Sequence, residues 1–347
     1  MIPKYSGLID TASATAHDET RSAISQVLWS ILEAILDDRT DRAIFQPTAF
    51  ALQTPGKLLR ALILLDSCSA VGGDPNTIIF AAVGLEAGHL ASLIHDDIID
   101  QDTMRRGTQS LWARFGLDQA IITGDFFIFV AFYSLALCRH QVSPYRVARV
   151  VEQLSKAGLQ LCIGQSEESR FHKNLLVTLD DYLEMIRFKT ASLFRVAAES
   201  GAILGGGTRQ DVNALGNFSE SLGLAFQILD DMAPYLLTDA QSGKSHISDI
   251  INGRVTLPII VAMRDGTETQ QQLLSSIFNH DRLDPVQKHA EIKLLLEQTG
   301  SLDSAHQMVQ HLLQCALDSL SHLPMSSSRT QLETIVYRLS QFKGVTP

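Results

Sequence analysis

The chain has 347 residues, 45% of them hydrophobic and 19% charged, so it can bury a sizeable core as one large domain or two small ones. Its 28 basic against 38 acidic side chains leave a formal charge of −10 and a pI near 5.5, which argues against a nucleic-acid binder. Cys68, Cys138, Cys162 and Cys315 are scattered without metal-ligand spacing and read as reduced thiols of a cytoplasmic protein. The N-terminus lacks a signal-peptide pattern. The longest strongly apolar run, Phe126 to Cys138, is shorter than the ~20 residues of a membrane span, so no transmembrane segment is expected.

In chain order, apolar residues at three- and four-residue spacing predict helices over 22–36, 58–69, 78–100, 121–138, 144–165, 180–204, 212–232 and 257–263. The tail adds 287–298, 304–320 and 330–342. A looser stretch, residues 1–20, precedes a single all-α domain spanning 21–347. Ser143-Pro144 sets an N-cap with proline at the first helical position. Thr178-x-x-Asp181 and Thr208-x-x-Asp211 resemble capping boxes. Breaks fall at Gly72-Gly73-Asp74-Pro75, at Lys173-Asn174 and at Gly205-Gly206-Gly207. The glycine triplet reads as a helix–helix connection, because no strand precedes it and no Lys-Ser/Thr follows, as a phosphate loop would need. No period-two strand series appears.

Two acidic patches carry the chemistry. In His95-Asp96-Asp97-Ile98-Ile99-Asp100, Asp96 and Asp100 lie one helical turn apart with Asp97 on their flank. Carboxylates this close repel unless cations neutralise them, and hard cations such as Mg²⁺ are commonly shared between carboxylates and substrate phosphates. Arg105 and Arg106 follow as fixed positive charges for oxyanions. The second patch, Phe226-Gln227-Ile228-Leu229-Asp230-Asp231, sets Gln227 and Asp230 on one face. Together the patches suggest two acidic helices facing one another, each holding metal against one diphosphate. Lys57 and Arg60 share a face; Lys189-Thr190 sits in a largely apolar segment, and Lys244 in a polar loop. His89 and His95 invite a general-base reading, but His89 is better placed to donate to a diphosphate, and His95 to partner the aspartates.

These residues resemble the trans-isoprenyl diphosphate synthases, the polyprenyl synthetase family, through an ordered set of motifs from about Gly56 to Pro258. The set is Gly56-Lys57-x-x-Arg60, Asp96-Asp97-x-x-Asp100 with Arg105-Arg106-Gly107, Gly124-Asp125, Gly164-Gln165 and Lys189-Thr190. It continues through Phe226-Gln227-x-x-Asp230-Asp231, Gly243-Lys244, Asp249 and Val255-Thr256-Leu257-Pro258. The local sequence before Asp96 looks most like bacterial medium- and long-chain synthases. The resemblance implies an all-α bundle of long helices around a deep apolar pocket (the isoprenoid synthase type I fold), usually homodimeric. It implies that Asp96, Asp97, Asp100 and Asp230, with Asp231, hold Mg²⁺, three ions when substrate diphosphate is bound. Arg105, Lys189 and Lys244 would contact the allylic diphosphate. Lys57, Arg60, His89 and Arg106 would bind isopentenyl diphosphate, with Thr190 and Gln227 also in the substrate site. The implied reaction ionises an allylic diphosphate, whose carbocation alkylates isopentenyl diphosphate and then loses a proton, to give a longer trans-polyprenyl diphosphate.

Departures from the family pattern keep other readings open. Pro234 stands where the second motif normally ends in aspartate; proline inside a helix removes an amide and crowds a carbonyl, so a kink or a helix end is expected there. Ala61 and Ser245 replace two usual prolines, which would loosen two loops, and Leu236-Leu237 is unusually apolar. A class I terpene cyclase, or a prenyltransferase with another acceptor, would keep the metal motifs without needing an isopentenyl pocket. A regulatory subunit of a heteromeric synthase is a third reading. Gly88, Ala91 and Ser92 are small where a bulky residue would close the pocket, so the expected product is of geranylgeranyl length or longer. Phe126, Phe127, Phe129, Phe132 and Tyr133 on the next helix compete as a pocket floor or plain core.

Overall fold

The structure, a computed structural model, describes residues 14–36, 39–53, 56–236, 253–280 and 283–341, most of them helical. The first helix, α1 (Ala14–Leu36), begins inside the stretch expected to precede the helices. After it come α2 (Phe45–Leu52), α3 (Leu59–Ala70), α4 (Ile79–Ile99), α5 (Leu111–Phe115), α6 (Leu117–Leu137) and α7 (Pro144–Phe171). The remainder are α8 (Leu179–Ile186), α9 (Ser192–Gly205), α10 (Arg209–Leu236), α11 (Leu257–Asp265), α12 (Glu268–Phe278), α13 (Pro285–Gln298), α14 (Ser301–Leu320) and α15 (Ser327–Ser340). The capping box at Thr178 forms as its spacing predicts. At the start of α10 the Asp211 amide donates to the Thr208 hydroxyl, and the Asp211 carboxylate accepts from the Thr208 amide. The glycine triplet ends α9 with Gly206 in the left-handed region, as a connection and not a phosphate loop.

Three local features escape periodicity. The short helices α2 and α5 and the capped α12 lie in stretches read as irregular. Met104–Arg105 and Thr108–Gln109 pair as a small antiparallel hairpin, β1 and β2. Its two turn residues, Arg106 and Gly107, both have positive φ, the geometry of a tight hairpin turn. The helix expected over 180–204 is interrupted at Arg187–Ala191 by one π turn.

The described residues divide between two compact units, one drawn from 1–156, 193–219 and 319–334, the other from 157–192, 220–318 and 335–347. In the first unit α4 lies along α6 and packs on α1 and α3, over a core that includes Ile24, Ile63, Leu64, Phe127, Phe194 and Phe218. The helices come close at Gly84, where a Cβ would lie 2.6 Å from the Ala131 carbonyl, so only glycine fits. Length and composition would let Pro75–Ile99 and Leu117–His140 cross a membrane, which the apolar-run argument missed. They are packed on each other instead, and the first carries Glu86, His89, Asp96 and Asp97. In the second unit α8 packs on α11, and α11, α12 and α13 pack together, with Tyr182, Ile186 and Phe278 fully buried.

Candidate active site

Asp96 and Asp97 sit on the last turn of α4, with Asp100 as its C-cap. The hairpin returns Arg105 onto this turn: its Nε lies 2.5 Å from Asp97 Oδ1 and its Nη2 3.5 Å from Asp96 Oδ2. Asp97 is 3% exposed, and burial lifts its carboxyl to about 6 despite Arg105. His95 was expected to partner these aspartates. Its Nε2 instead lies 3.4 Å from the Ile121 carbonyl and 3.6 Å from Asp125, over Gly124, whose missing Cβ leaves room for the ring.

Two to three turns earlier on α4 a basic cluster forms around a carboxylate that the motif reading passed over. Leu58, the residue preceding α3, has a left-handed backbone and no side chain able to cap the helix. Glu86 does so from α4, its Oε1 accepting the Ala61 amide at 2.9 Å. Ala61 therefore does more than loosen a loop: a proline there would have no amide to give. Burial raises the Glu86 carboxyl, opposed by the Ala61 bond and by Arg60 and Arg106. Arg60 is pushed down to about 10 by burial, stacks 4.3 Å over the Phe194 ring, and leaves its buried Nε without a hydrogen-bond partner. Its Nη1 is 3.0 Å from His89 Nε2. Burial and three arginines hold His89 well below its usual range, so the ring is neutral and Nε2 accepts from Arg60. With Nε2 engaged by Arg60, Nδ1 is the nitrogen through which His89 would donate to a diphosphate. The Arg106 guanidinium fills the space a Cβ on Gly56 would need. Lys57 is exposed, and its carbonyl accepts from Arg21.

The second patch is built inside the other unit. Asp231 accepts from the Tyr182 hydroxyl at 2.6 Å and from Gln227 Nε2 at 2.8 Å, while Gln227 Oε1 accepts from Thr190 at 2.7 Å. Burial and Asp231 raise the Tyr182 phenol well above its ordinary value, so it stays a donor. Asp230, the preceding residue, is exposed. Lys189 lies on the π turn, paired with Glu168, which also accepts from Gln165. The turn needs Gly164: a side chain there would collide with the Lys189 backbone. Glu168, Tyr182, Lys189, Thr190, Gln227 and Asp231 line a hollow with Arg254, Val255 and Thr256. Neither Glu168, Tyr182 nor Arg254 was singled out from sequence. Arg254 could have been, as a cation beside the Val255-Thr256-Leu257-Pro258 motif. Lys244, Ser245, Asp249 and Leu237 lie outside the described residues.

Pro234 does not end its helix: α10 stays helical through it to Leu236. Among the described residues no three His, Cys, Asp or Glu side chains converge into a ready-made metal cage. A hard cation such as Mg²⁺ keeps water and is commonly held by one or two carboxylates plus substrate phosphate oxygens. Asp96, Asp100 and Asp230 are oxygen donors of that kind. Asp97 and Asp231 are engaged by Arg105, and by Tyr182 and Gln227.

Residues 41–296 match the family model described as polyprenyl synthetase. The chain is 33% identical to a short chain isoprenyl diphosphate synthase of Methanothermobacter thermautotrophicus over 86% of this chain and 90% of that protein. It is 31% identical to heptaprenyl diphosphate synthase component 2 of Bacillus subtilis over 84% of this chain and 80% of that one. The crystal structure of geranylgeranyl pyrophosphate synthetase from Pyrococcus horikoshii superposes with a TM-score of 0.83 at 32% identity, covering 94% of this chain and 99% of that chain.

Proposed function

The chain belongs to the polyprenyl synthetase family and transfers prenyl groups, and from that premise we propose a Mg²⁺-dependent condensation of an allylic diphosphate with isopentenyl diphosphate. The observation that carries the acceptor is the cluster of Arg60, His89 and Arg106 around Glu86. A cyclase gains nothing from a second diphosphate site, whereas the unpartnered Arg60 Nε is a buried donor suited to an oxyanion.

Asp96 and Asp100 hold metal for the allylic diphosphate, Arg105 adds fixed charge beside them, and Asp97 keeps Arg105 in place. Asp230 supplies a further metal ligand, and Lys189, released from Glu168, a cation for the diphosphate. Bound Mg²⁺ supplies Lewis-acid stabilisation of the departing diphosphate. Neither His89 nor His95 serves as a general base: His89 is bonded to Arg60, and His95 lies against Ile121 and Asp125. The proton left by alkylation goes to the released diphosphate. Gly88, Ala91 and Ser92 support a product of geranylgeranyl length or longer, the class that several relatives are named for.

We further read the chain as a homodimer in the cytoplasm. The support for pairing is the outer face of α6, where Ile122, Phe129 and Tyr133 stand exposed along one stripe. Phe129→Asp is then expected to shift sedimentation toward the monomer. The decisive experiment offers the purified protein dimethylallyl, geranyl, farnesyl and geranylgeranyl diphosphates with Mg²⁺, each with and without isopentenyl diphosphate, and reads products by mass spectrometry. Products lengthened by isoprene units support the condensation. Hydrocarbons or alcohols formed without isopentenyl diphosphate would overturn it in favour of a cyclase.

A further inference from the structure

Pro234 lies four residues after Asp230, inside the turn that follows the exposed aspartate. It has no amide to give the Asp230 carbonyl, and its ring crowds that carbonyl, so the end of α10 loses its ordinary intrahelical support. The helix nevertheless persists to Leu236, and Pro234 and Tyr235 are buried. The compensation comes from α13. His289 Nε2 lies 2.8 Å from the Pro234 carbonyl, one of the last carbonyls of the described helix, and donates to it. The same imidazole stacks on the next residue, Tyr235, with ring centroids 5.6 Å apart and planes 3° from parallel.

The prop is itself firmly seated. The Asp284 side chain caps α13 by accepting the Val286 and Gln287 amides, and Pro285 occupies the first turn. Lys288, buried beside His289, donates from Nζ to the Phe278 carbonyl at 2.6 Å, tying α13 to the end of α12. Ile292, Leu295 and Leu296 are buried further along the same helix, Ile292 and Leu296 on the face that carries His289. On α10, Ile228, Leu229 and Met232 are buried while Asp230 faces outward, so the orientation of this last turn fixes where the carboxylate points.

We propose that His289 is a positioning residue for Asp230: by bonding the Pro234 carbonyl and stacking on Tyr235, it holds the proline-weakened turn that presents the second patch to metal. This rests on the reading of Asp230 as a metal ligand. A histidine that only packed would matter equally whatever stood at position 234. A clamp compensating for proline matters most when proline is there.

The test uses the full chain and two readouts other than turnover. Amide hydrogen exchange over 231–236 is followed in metal-free protein, and Mn²⁺ binding with inorganic pyrophosphate by electron paramagnetic resonance. His289→Ala is expected to speed exchange of these amides roughly five-fold. It should also weaken one Mn²⁺ site about ten-fold, the scale for groups that orient a metal ligand. His289→Gln, which can still donate to the carbonyl, should recover much of both. In a Pro234→Ala background, where the amide is restored, His289→Ala should lose little. Unchanged exchange in His289→Ala, unchanged Mn²⁺ affinity, or equal losses in both backgrounds would overturn the inference. Wild-type protein that binds no Mn²⁺ with pyrophosphate would sink the functional reading itself, a failure visible before any variant is made.

Discussion

The two Asp-Asp pairs look alike in sequence, yet their environments divide the work differently. In both, the second aspartate is anchored by a close bond: Asp97 by the Arg105 guanidinium, which also reaches Asp96 at 3.5 Å, and Asp231 by the neutral donors Tyr182 and Gln227. In both, the first is the more exposed, Asp96 half-buried and Asp230 exposed. The contrast lies in the anchor. A buried carboxylate facing a guanidinium depends on its charge, whereas one accepting from a phenol and an amide depends mainly on being an acceptor.

The widest break in that comparison is between outward and anchored positions. Asp96→Asn should lower kcat on the order of 10²–10³-fold, the range for losing one preorganised electrostatic group. Asp231→Asn keeps an oxygen that accepts from Tyr182 and should cost only about 10-fold. Steady-state kinetics at saturating Mg²⁺ checks both, and equal losses would erase the distinction between ligand and anchor.

Stability tests the first pair's anchor next. Asp97 in the folded protein titrates near 6 against an ordinary value of 3.8, so between those values the folded state binds the proton more tightly than the unfolded state. Its contribution is therefore favourable in acid and lost as pH rises through about 6. In chelator, Asp97→Asn should stabilise the protein at pH 8 by ~2–3 kcal/mol, with the gain vanishing toward pH 4. Denaturant titration at several pH values reads the gain.

Much of this was legible in the sequence, and the site partners that were missed share a cause. The long helices announce themselves by period, and the outward aspartates by spacing, since both are local along the chain. The partners are not local: Glu86 reaches Ala61 across 25 positions, Tyr182 reaches Asp231 across 49, and His289 reaches Pro234 across 55. The same holds for the close approaches. Gly124 and Gly164 both read as motif glycines, but only the structure shows that the first makes room for the tip of His95 and the second for the Lys189 backbone. A side-chain tip can swing away and a backbone cannot. Gly164→Ala should therefore cost ~1–3 kcal/mol of stability, the scale of overpacking, and Gly124→Ala less. Thermal melts that rank them the other way would mean that the π turn at Lys189 is soft.

The finest test concerns the basic cluster near the first pair, where a departure from the family pattern became a bond. The Ala61 amide is what Glu86 holds, and Glu86 is the carboxylate set against both Arg60 and Arg106. Ala61→Pro removes the donor while leaving every charge in place. Glu86 then loses one hydrogen bond, worth ~1 kcal/mol, and with it the fixed distance to the two guanidiniums. The expected result is a rise of about five-fold in KM for isopentenyl diphosphate. KM for the allylic substrate should stay as it was, because Arg105 and the aspartates are untouched. A change in both KM values would show that α3 as a whole had shifted. A change in neither would mean that Glu86 is held by charge alone, and that the two sites differ less in their anchoring than Ala61 implies.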